Sequence, residues 1–180
     1  MVGMLLLKAR WDESLVSPQR FRCADCAAAM TEQILEQSQW VPRPLEEVFA
    51  FFSDEKNLET LTPAFLKFRV LGKSTPKIQE GTLIHYRLSL HGLPMRWTSR
   101  IEEWTPNQRF VDTQVKGPYS LWHHTHSFEP ENGGTRMKDR VRFRLPGGWL
   151  GQLAAGWVVR RDVERIFAFR KQTIERLFAP

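Results

Sequence analysis

The sequence predicts an α+β domain: a curved antiparallel sheet of seven strands wrapped around one long C-terminal helix, with two short helices after the first strand. Three observations carry this. From residue 82 to 145, short runs alternate apolar and polar side chains, the period-two pattern of strands, and each run stops at Pro, Gly or Asn. Residues 149–178 contain no proline and repeat apolar residues at three- and four-residue steps, the pattern of an amphipathic helix. Residues 44–61 hold two short helical stretches punctuated by Ser53-Asp54.

The elements follow in order. Residues 34–41 read as the first strand, stopped by Pro42 and Pro44 because proline cannot donate to a ladder. Pro44 suits a first helical turn, and Leu45, Val48, Phe49 and Phe52 recur at helical spacing. A second short helix is expected over 55–61, ahead of Thr62-Pro63, and a strand over 65–71. Strands at 82–90 and 95–104 flank His91-Gly92-Leu93-Pro94, read as a hairpin turn. Strands at 109–115, 119–129 and 135–145 follow, the last two joined by Asn132-Gly133-Gly134, a strong hairpin signal. Connections this short make consecutive strands antiparallel neighbours. In the final helix, Leu153, Trp157, Val163, Ile166, Phe167, Ile174, Leu177 and Phe178 form the expected packing stripe. At ~1.5 Å per residue it spans roughly 40 Å, enough to lie across a concave sheet.

At 180 residues the chain suits one domain with a sizeable core, and seven Trp and twelve Phe suit a large apolar interior. No run approaches the ~18 apolar residues of a membrane span. Met4-Leu5-Leu6-Leu7 is too short for a signal segment, so a cytoplasmic protein is expected. The first 29 residues lack sustained periodicity and read as a flexible extension or a mis-assigned start before Met30, with the folded domain at 30–180. The lone pair Cys23 and Cys26 is weak evidence for a metal or redox function. The net charge of +6 sits mainly in a strand at 136–144 and along the helix at 160–176, so it reads as a solvated surface rather than a basic tail. DNA is not expected as a partner. RNA, a ribosome or an acidic protein docking on the basic helix is a third-ranked alternative. A monomer or homodimer is expected.

The run Trp122-His123-His124-Thr125-His126-Ser127-Phe128 is the most informative. Strand alternation puts Trp122, His124, His126 and Phe128 on one face, and bounding aromatics turn that face inward. Buried imidazoles need partners. On the neighbouring strands Phe110 shares its face with Asp112 and Gln114, and Met137, Val141 and Phe143 share theirs with Asp139. Neighbouring strands lie ~4.8 Å apart, so these two acids, two imidazoles and one amide can meet. Tyr86 and Trp97 join the apolar wall. Three readings are open: a satisfied structural network, a polar end within a pocket for an otherwise apolar ligand, or acid–base catalysis by His124 or His126 with Asp112 or Asp139 fixing the tautomer. His124 and His126 with one acid also have the makings of a metal site, but the spacing demands none, and neither metal nor cofactor is expected. Arg161 and Arg170 lie on the long helix. Arg170, between Phe167 and Ile174, reads as a snorkelling side chain or as an anchor for a ligand carboxylate or phosphate.

Several phrases resemble the START-like superfamily, which includes polyketide cyclase/dehydrases, lipid-transfer domains and the birch-pollen allergen family. They are Pro-Leu-Glu-Glu-Val-Phe-Ala-Phe-Phe-Ser-Asp (44–54), Asn-Leu-Glu-Thr-Leu-Thr-Pro (57–63), His-Gly-Leu-Pro-Met-Arg-Trp (91–97), Gly-Pro-Tyr-Ser-Leu-Trp-His-His-Thr-His-Ser-Phe-Glu (117–129) and Arg-Met-Lys-Asp-Arg-Val (136–141). The resemblance covers 30–180 and points to a bacterial ligand-binding subgroup. It implies the helix-grip fold and a cavity between sheet and helix for a small lipid-, aromatic- or polyketide-like molecule. The alternative it implies is a cyclase or dehydratase. The expected ligand-binding residues are Tyr86, Trp97, Asp112, Gln114, Trp122, His124, His126, Asp139, Phe167 and Arg170.

Overall fold

The computed structural model describes residues 32–179. The expected N-terminal extension, with Cys23 and Cys26, lies outside the described residues. Strand β1 (Gln33–Val41) leads into helix α1 (Leu45–Phe52), the short helix α2 (Asn57–Thr60) and a 3₁₀ turn (Ala64–Leu66). Six strands follow: β2 (Arg69–Lys73), β3 (Leu83–Leu90), β4 (Leu93–Thr105), β5 (Arg109–Lys116), β6 (Leu121–Glu131) and β7 (Gly134–Arg144). Helix α3 (Gly148–Leu177) closes the chain. The sheet order is β1-β7-β6-β5-β4-β3-β2, and every neighbouring pair is antiparallel. This is the expected helix-grip layout, with the sheet curved around the long helix.

Turn chemistry sets the registers. The β6–β7 turn uses Asn132 at φ 48° and Gly133 at φ 74°. Two consecutive left-handed residues match the right-handed twist of the flanking strands. The same device shortens the turn expected at 91–94. His91 at φ 51° and Gly92 at φ 83° suffice, and Leu93 already pairs with Leu90. Pro94 therefore lies inside β4. The strand expected at 65–71 is also corrected. Ala64–Leu66 is a 3₁₀ turn ending at Lys67, whose φ of 45° redirects the chain before β2 begins at Arg69. At Gly134 an added Cβ would meet the Val41 carbonyl at 2.4 Å, so β1 and β7 approach closely there only because the residue is glycine.

One end of the concave face is filled. Phe49 of α1 packs edge-on against Phe110 (centroids 6.1 Å apart) and Phe128 (5.4 Å). Val48, Met137, Ile174 and Phe178 complete that cluster. A second cluster joins Val141 and Phe143 of β7 to Val163 and Phe167 of α3. A third, around Ile84, Tyr86 and Ile101, lines the β3–β4 side and meets the helix cluster through Trp97 and Trp122, 5.2 Å apart. The packing stripe expected along the whole of α3 holds only in part. Val163, Phe167 and Ile174 are buried, but Leu153 and Trp157 are 78% and 72% exposed, as are Trp149 and Leu150 in large part. Among the described residues little packs against the apolar stripe of the first turns of α3. Leu177 is likewise half exposed.

Ile174 is fully buried between α1 and the sheet. Ile174→Ala is expected to lower the unfolding free energy by ~2–5 kcal/mol, read from urea titration, because the lost side chain leaves a cavity that the aromatic cluster cannot close.

Candidate functional site

The functional candidates meet on three adjacent strands. Register sets Asp112 of β5 opposite His124 of β6, and His126 of β6 opposite Asp139 of β7. The hydrogen bonds run diagonally. His124 Nε2 bonds Asp139 Oδ1 at 2.9 Å, and His126 Nε2 bonds Asp112 Oδ2 at 3.3 Å. The direct neighbours are also close: His124 Nδ1 is 3.4 Å from Asp112 Oδ2, and His126 Nδ1 is 2.8 Å from Asp139 Oδ1. Every ring nitrogen therefore faces a carboxylate. The two rings lie 3.7 Å apart between centroids, His126 stacks on Phe110 at 4.2 Å, and His124 meets Phe167 edge-on at 5.3 Å.

Arg170 of α3 enters the group from above. Its Nη2 is 3.3 Å from His126 Nδ1 and 3.7 Å from Asp139 Oδ1. The residue is 7% exposed, its guanidinium lies over the Phe52 ring at 5.1 Å, and its Nε is buried without a partner among the described residues. From the β4 side, Trp97 Nε1 donates to Ser99 Oγ (3.1 Å), and Ser99 Oγ donates to Asp112 Oδ1 at 3.4 Å. Ser99 joins the network although the sequence reading did not select it. The signal was present, since it shares a strand face with Trp97.

The electrostatics follow from burial. Desolvation raises Asp112 and Asp139, but the partners outweigh it. For Asp112 these are the His126 hydrogen bond and the His124, His126 and Arg170 charges; for Asp139, Arg170 first and then both imidazoles. Both carboxyls are held below the usual carboxylate range, Asp139 well below. His124 is pushed down to about 4, by burial first and then by the adjacent His126. Burial likewise pushes the Tyr86 phenol up.

Beside this cluster lies a cavity of about 190 Å³ between α3 and strands β3–β6. Its wall is apolar: Leu66, Ile84, Tyr86, Leu88, Trp97, Trp122 and Phe167 contribute. Asp112, His126 and Arg170 form the polar part of the lining with Ser99, Glu55 and Thr62. The expected residues thus divide. Tyr86, Trp97, Asp112, Trp122, His126, Phe167 and Arg170 line the cavity, while His124 and Asp139 stand behind them in the sheet. Gln114 does not join this lining. Its Nε2 donates to the Tyr119 carbonyl (2.6 Å) and its Oε1 accepts from the Tyr119 amide (3.2 Å), so it clamps the β5–β6 loop outside the cavity. Gly117 leaves room for that clamp, since a Cβ there would lie 2.3 Å from Gln114 Oε1. Arg161 is exposed and rests over the Trp157 ring at 5.7 Å, away from the cluster.

A seven-stranded sheet gripping a terminal helix, with an aromatic-walled cavity between them, defines the class as a helix-grip protein. Residues 41–170 match the family model described as polyketide cyclase / dehydrase and lipid transport, and the chain belongs to that family. No curated protein matches it in sequence. Among solved structures it is similar to CV1439 from Chromobacterium violaceum, with a TM-score of 0.64 at 16% identity, covering 82% of this chain and 99% of that one. The ginseng major latex-like protein 151 from Panax ginseng is similar with a TM-score of 0.61 at 10% identity, over 83% of this chain and 99% of that one. The di-domain ARO/CYC StfQ of the steffimycin biosynthetic pathway gives 0.65 at 13% identity, over 83% of this chain and 51% of that one. These identities establish the fold alone. Family membership supports the binding of a small ligand in general. Among the described residues no helix is long and apolar enough to cross a membrane.

Two outcomes are expected of the network. Asp139→Ala strands Arg170 and costs ~3–5 kcal/mol of stability by urea titration, the loss typical of one partner in a buried ion pair. The pH dependence has one sign. The unfolded chain takes a proton on His124 near 6.5 while the folded chain resists until about 4, so stability falls as pH drops across that window. The depressed carboxyls extend the fall below ~4, where unfolded carboxylates protonate first. The urea midpoint with EDTA present is expected to decline steadily from pH 7 to 4, and His124→Gln is expected to flatten the upper part of that decline.

Proposed function

We propose that the protein binds a small hydrophobic or amphipathic molecule in the cavity under α3. The apolar body rests against Tyr86, Trp97, Trp122 and Phe167, and a polar atom reaches Asp112, His126 and Arg170. The observation that carries this reading is Arg170: a buried guanidinium on the wall of a largely apolar cavity, with its Nε unpartnered among the described residues. A buried donor without an acceptor costs ~1–3 kcal/mol, which a ligand oxygen recovers. Two carboxylates already face this one guanidinium. The cluster therefore favours a neutral hydroxyl or carbonyl oxygen over a further anion. His124 and Asp139 hold the ring of His126 and the Arg170 head in place from behind.

Family membership supports a lipid-, aromatic- or polyketide-like ligand. The second reading, a cyclase or dehydratase using a His/Asp pair, draws on His126 and Asp112 lining the same cavity. Binding is the better supported of the two. All four imidazole nitrogens lie 2.8–3.4 Å from a carboxylate oxygen, which engages both rings with the scaffold first.

Native mass spectrometry of the purified protein, with Nile red titration, tests the binding reading. One equivalent of dye with a blue-shifted emission is expected, and Leu88→Trp, which fills the cavity, is expected to weaken it at least tenfold. Absence of saturable binding, or indifference to Leu88→Trp in a folded variant, would refute it. In displacement of the dye by 1-decanol, Arg170→Met is expected to raise the alcohol's apparent Kd ten- to a hundredfold, the size of a hydrogen bond to a charged group.

A further inference from the structure

We propose that Asp112, His124 and His126 form a site for one divalent transition-metal cation, zinc-like in its preference for nitrogen and oxygen ligands. The first support is distance. Asp112 Oδ2 lies 3.4 Å from His124 Nδ1 and 3.3 Å from His126 Nε2, and the three residues offer ligand atoms all within 4.8 Å of one another. Metal bonds of ~2.0–2.1 Å at the tetrahedral angle place neighbouring ligand atoms ~3.3–3.5 Å apart. For N–H···O hydrogen bonds the two Asp112 contacts are long. For edges of a coordination tetrahedron they are ordinary.

The second support is the outer shell. Asp139, 3% exposed, backs both rings. Its Oδ1 bonds His124 Nε2 at 2.9 Å and lies 2.8 Å from His126 Nδ1. Metal-binding histidines give their outer N–H to a carboxylate in this way, which fixes the ring and turns the lone pair of the other nitrogen inward. Here the inward nitrogens are His124 Nδ1 and His126 Nε2, the two that face Asp112.

The third support is charge. With both rings neutral, the buried group holds two carboxylates and one guanidinium, an excess of one negative charge. Burying an unbalanced charge is costly, so the group calls for a cation. With a metal on His126 Nε2 the ring N–H would lie on Nδ1, 2.8 Å from Asp139 Oδ1. Asp112 and His126 belong to the cavity wall, so a remaining coordination position opens toward the space assigned to the ligand. The cation then serves as a Lewis acid for a ligand oxygen beside Arg170.

Chelator-stripped full-length protein carrying Cys23→Ser and Cys26→Ser, which removes the thiol pair as a competing zinc ligand, is titrated with Zn²⁺ by calorimetry and with Co²⁺ by visible absorption. One equivalent is expected, with cobalt d–d bands. Asp112→Asn is expected to weaken binding at least tenfold, and Asp139→Asn ten- to a hundredfold. His85→Ala, on the exposed face of β3, is expected to leave it unchanged. Since substitutions in a buried group can unfold the chain, the parent protein is also read by long-range ¹H–¹⁵N spectra. Zn²⁺ is expected to shift Nδ1 of His124 and Nε2 of His126. Absence of stoichiometric binding, or shifts confined to His85, His91 and His123, would overturn the site. Nile red binding in the same sample is read independently, so loss of the metal site and loss of the ligand cavity are told apart.

Discussion

The interior depends on one electrostatic constraint: two carboxylates, two imidazoles and a guanidinium share a space from which water is largely excluded. Each alone would be expensive to bury. Together they are tolerable because strand register puts an acid opposite each histidine and helix α3 lowers Arg170 onto the pair. The arrangement ties the secondary structures to one another. A one-residue slip of β6 against β5 or β7 would turn His124 and His126 to solvent and leave Asp112 and Asp139 buried without partners. The register is thus held by polar matching as well as by the apolar face. The aromatic rings over and beside the group, Phe110, Phe167 and Phe52, keep water away and strengthen every interaction within it.

The same concave face does two jobs along its length. Near Phe49, Phe128 and Ile174 it is filled with interlocking rings and acts as a core. Near Tyr86, Trp97 and Trp122 the rings line a void instead. The charged group stands at the boundary, where the filled part ends. Polar atoms at such a boundary keep one side committed to the scaffold while the other side faces the open space. Ser99 and the indole of Trp97 extend this polar seam onto β4, so Asp112 is addressed from both neighbouring strands, β4 and β6.

Much of this was legible in the sequence because strand parity is a strict rule. Alternation alone placed His124, His126, Asp112 and Asp139 on one inward face, and helical spacing placed Phe167 and Arg170 opposite them. What parity lacks is position along the strand relative to a loop. Gln114 has the right parity but sits two residues from the end of β5, where the loop folds back and takes its amide for the Tyr119 backbone. Periodicity also says nothing about which turns of a helix find a partner, so Leu153 and Trp157 share the stripe's spacing and yet are exposed. The turn at His91-Gly92 was read too long because Pro94 resembles a turn residue, yet it is accommodated within β4 once two left-handed residues close the hairpin. Which atom of each imidazole faces which acid is a matter of rotamers, beyond any pattern in the chain.

Helix α3 is held unevenly. Its second half is sunk into the filled core through Phe167, Thr173 and Ile174, while its opening turns present Trp149, Leu153 and Trp157 to water. Where the helix passes the β3–β4 hairpin, the contact is His91 Nε2 to Asp162 Oδ2 at 2.7 Å, with His91 largely exposed. Exposed ion pairs of this kind contribute ~0–1 kcal/mol. The exposed opening turns are therefore held more weakly than the stretch from Val163 onward, which is sunk into the core. The helix is thus anchored at its rear and only lightly fastened at its front.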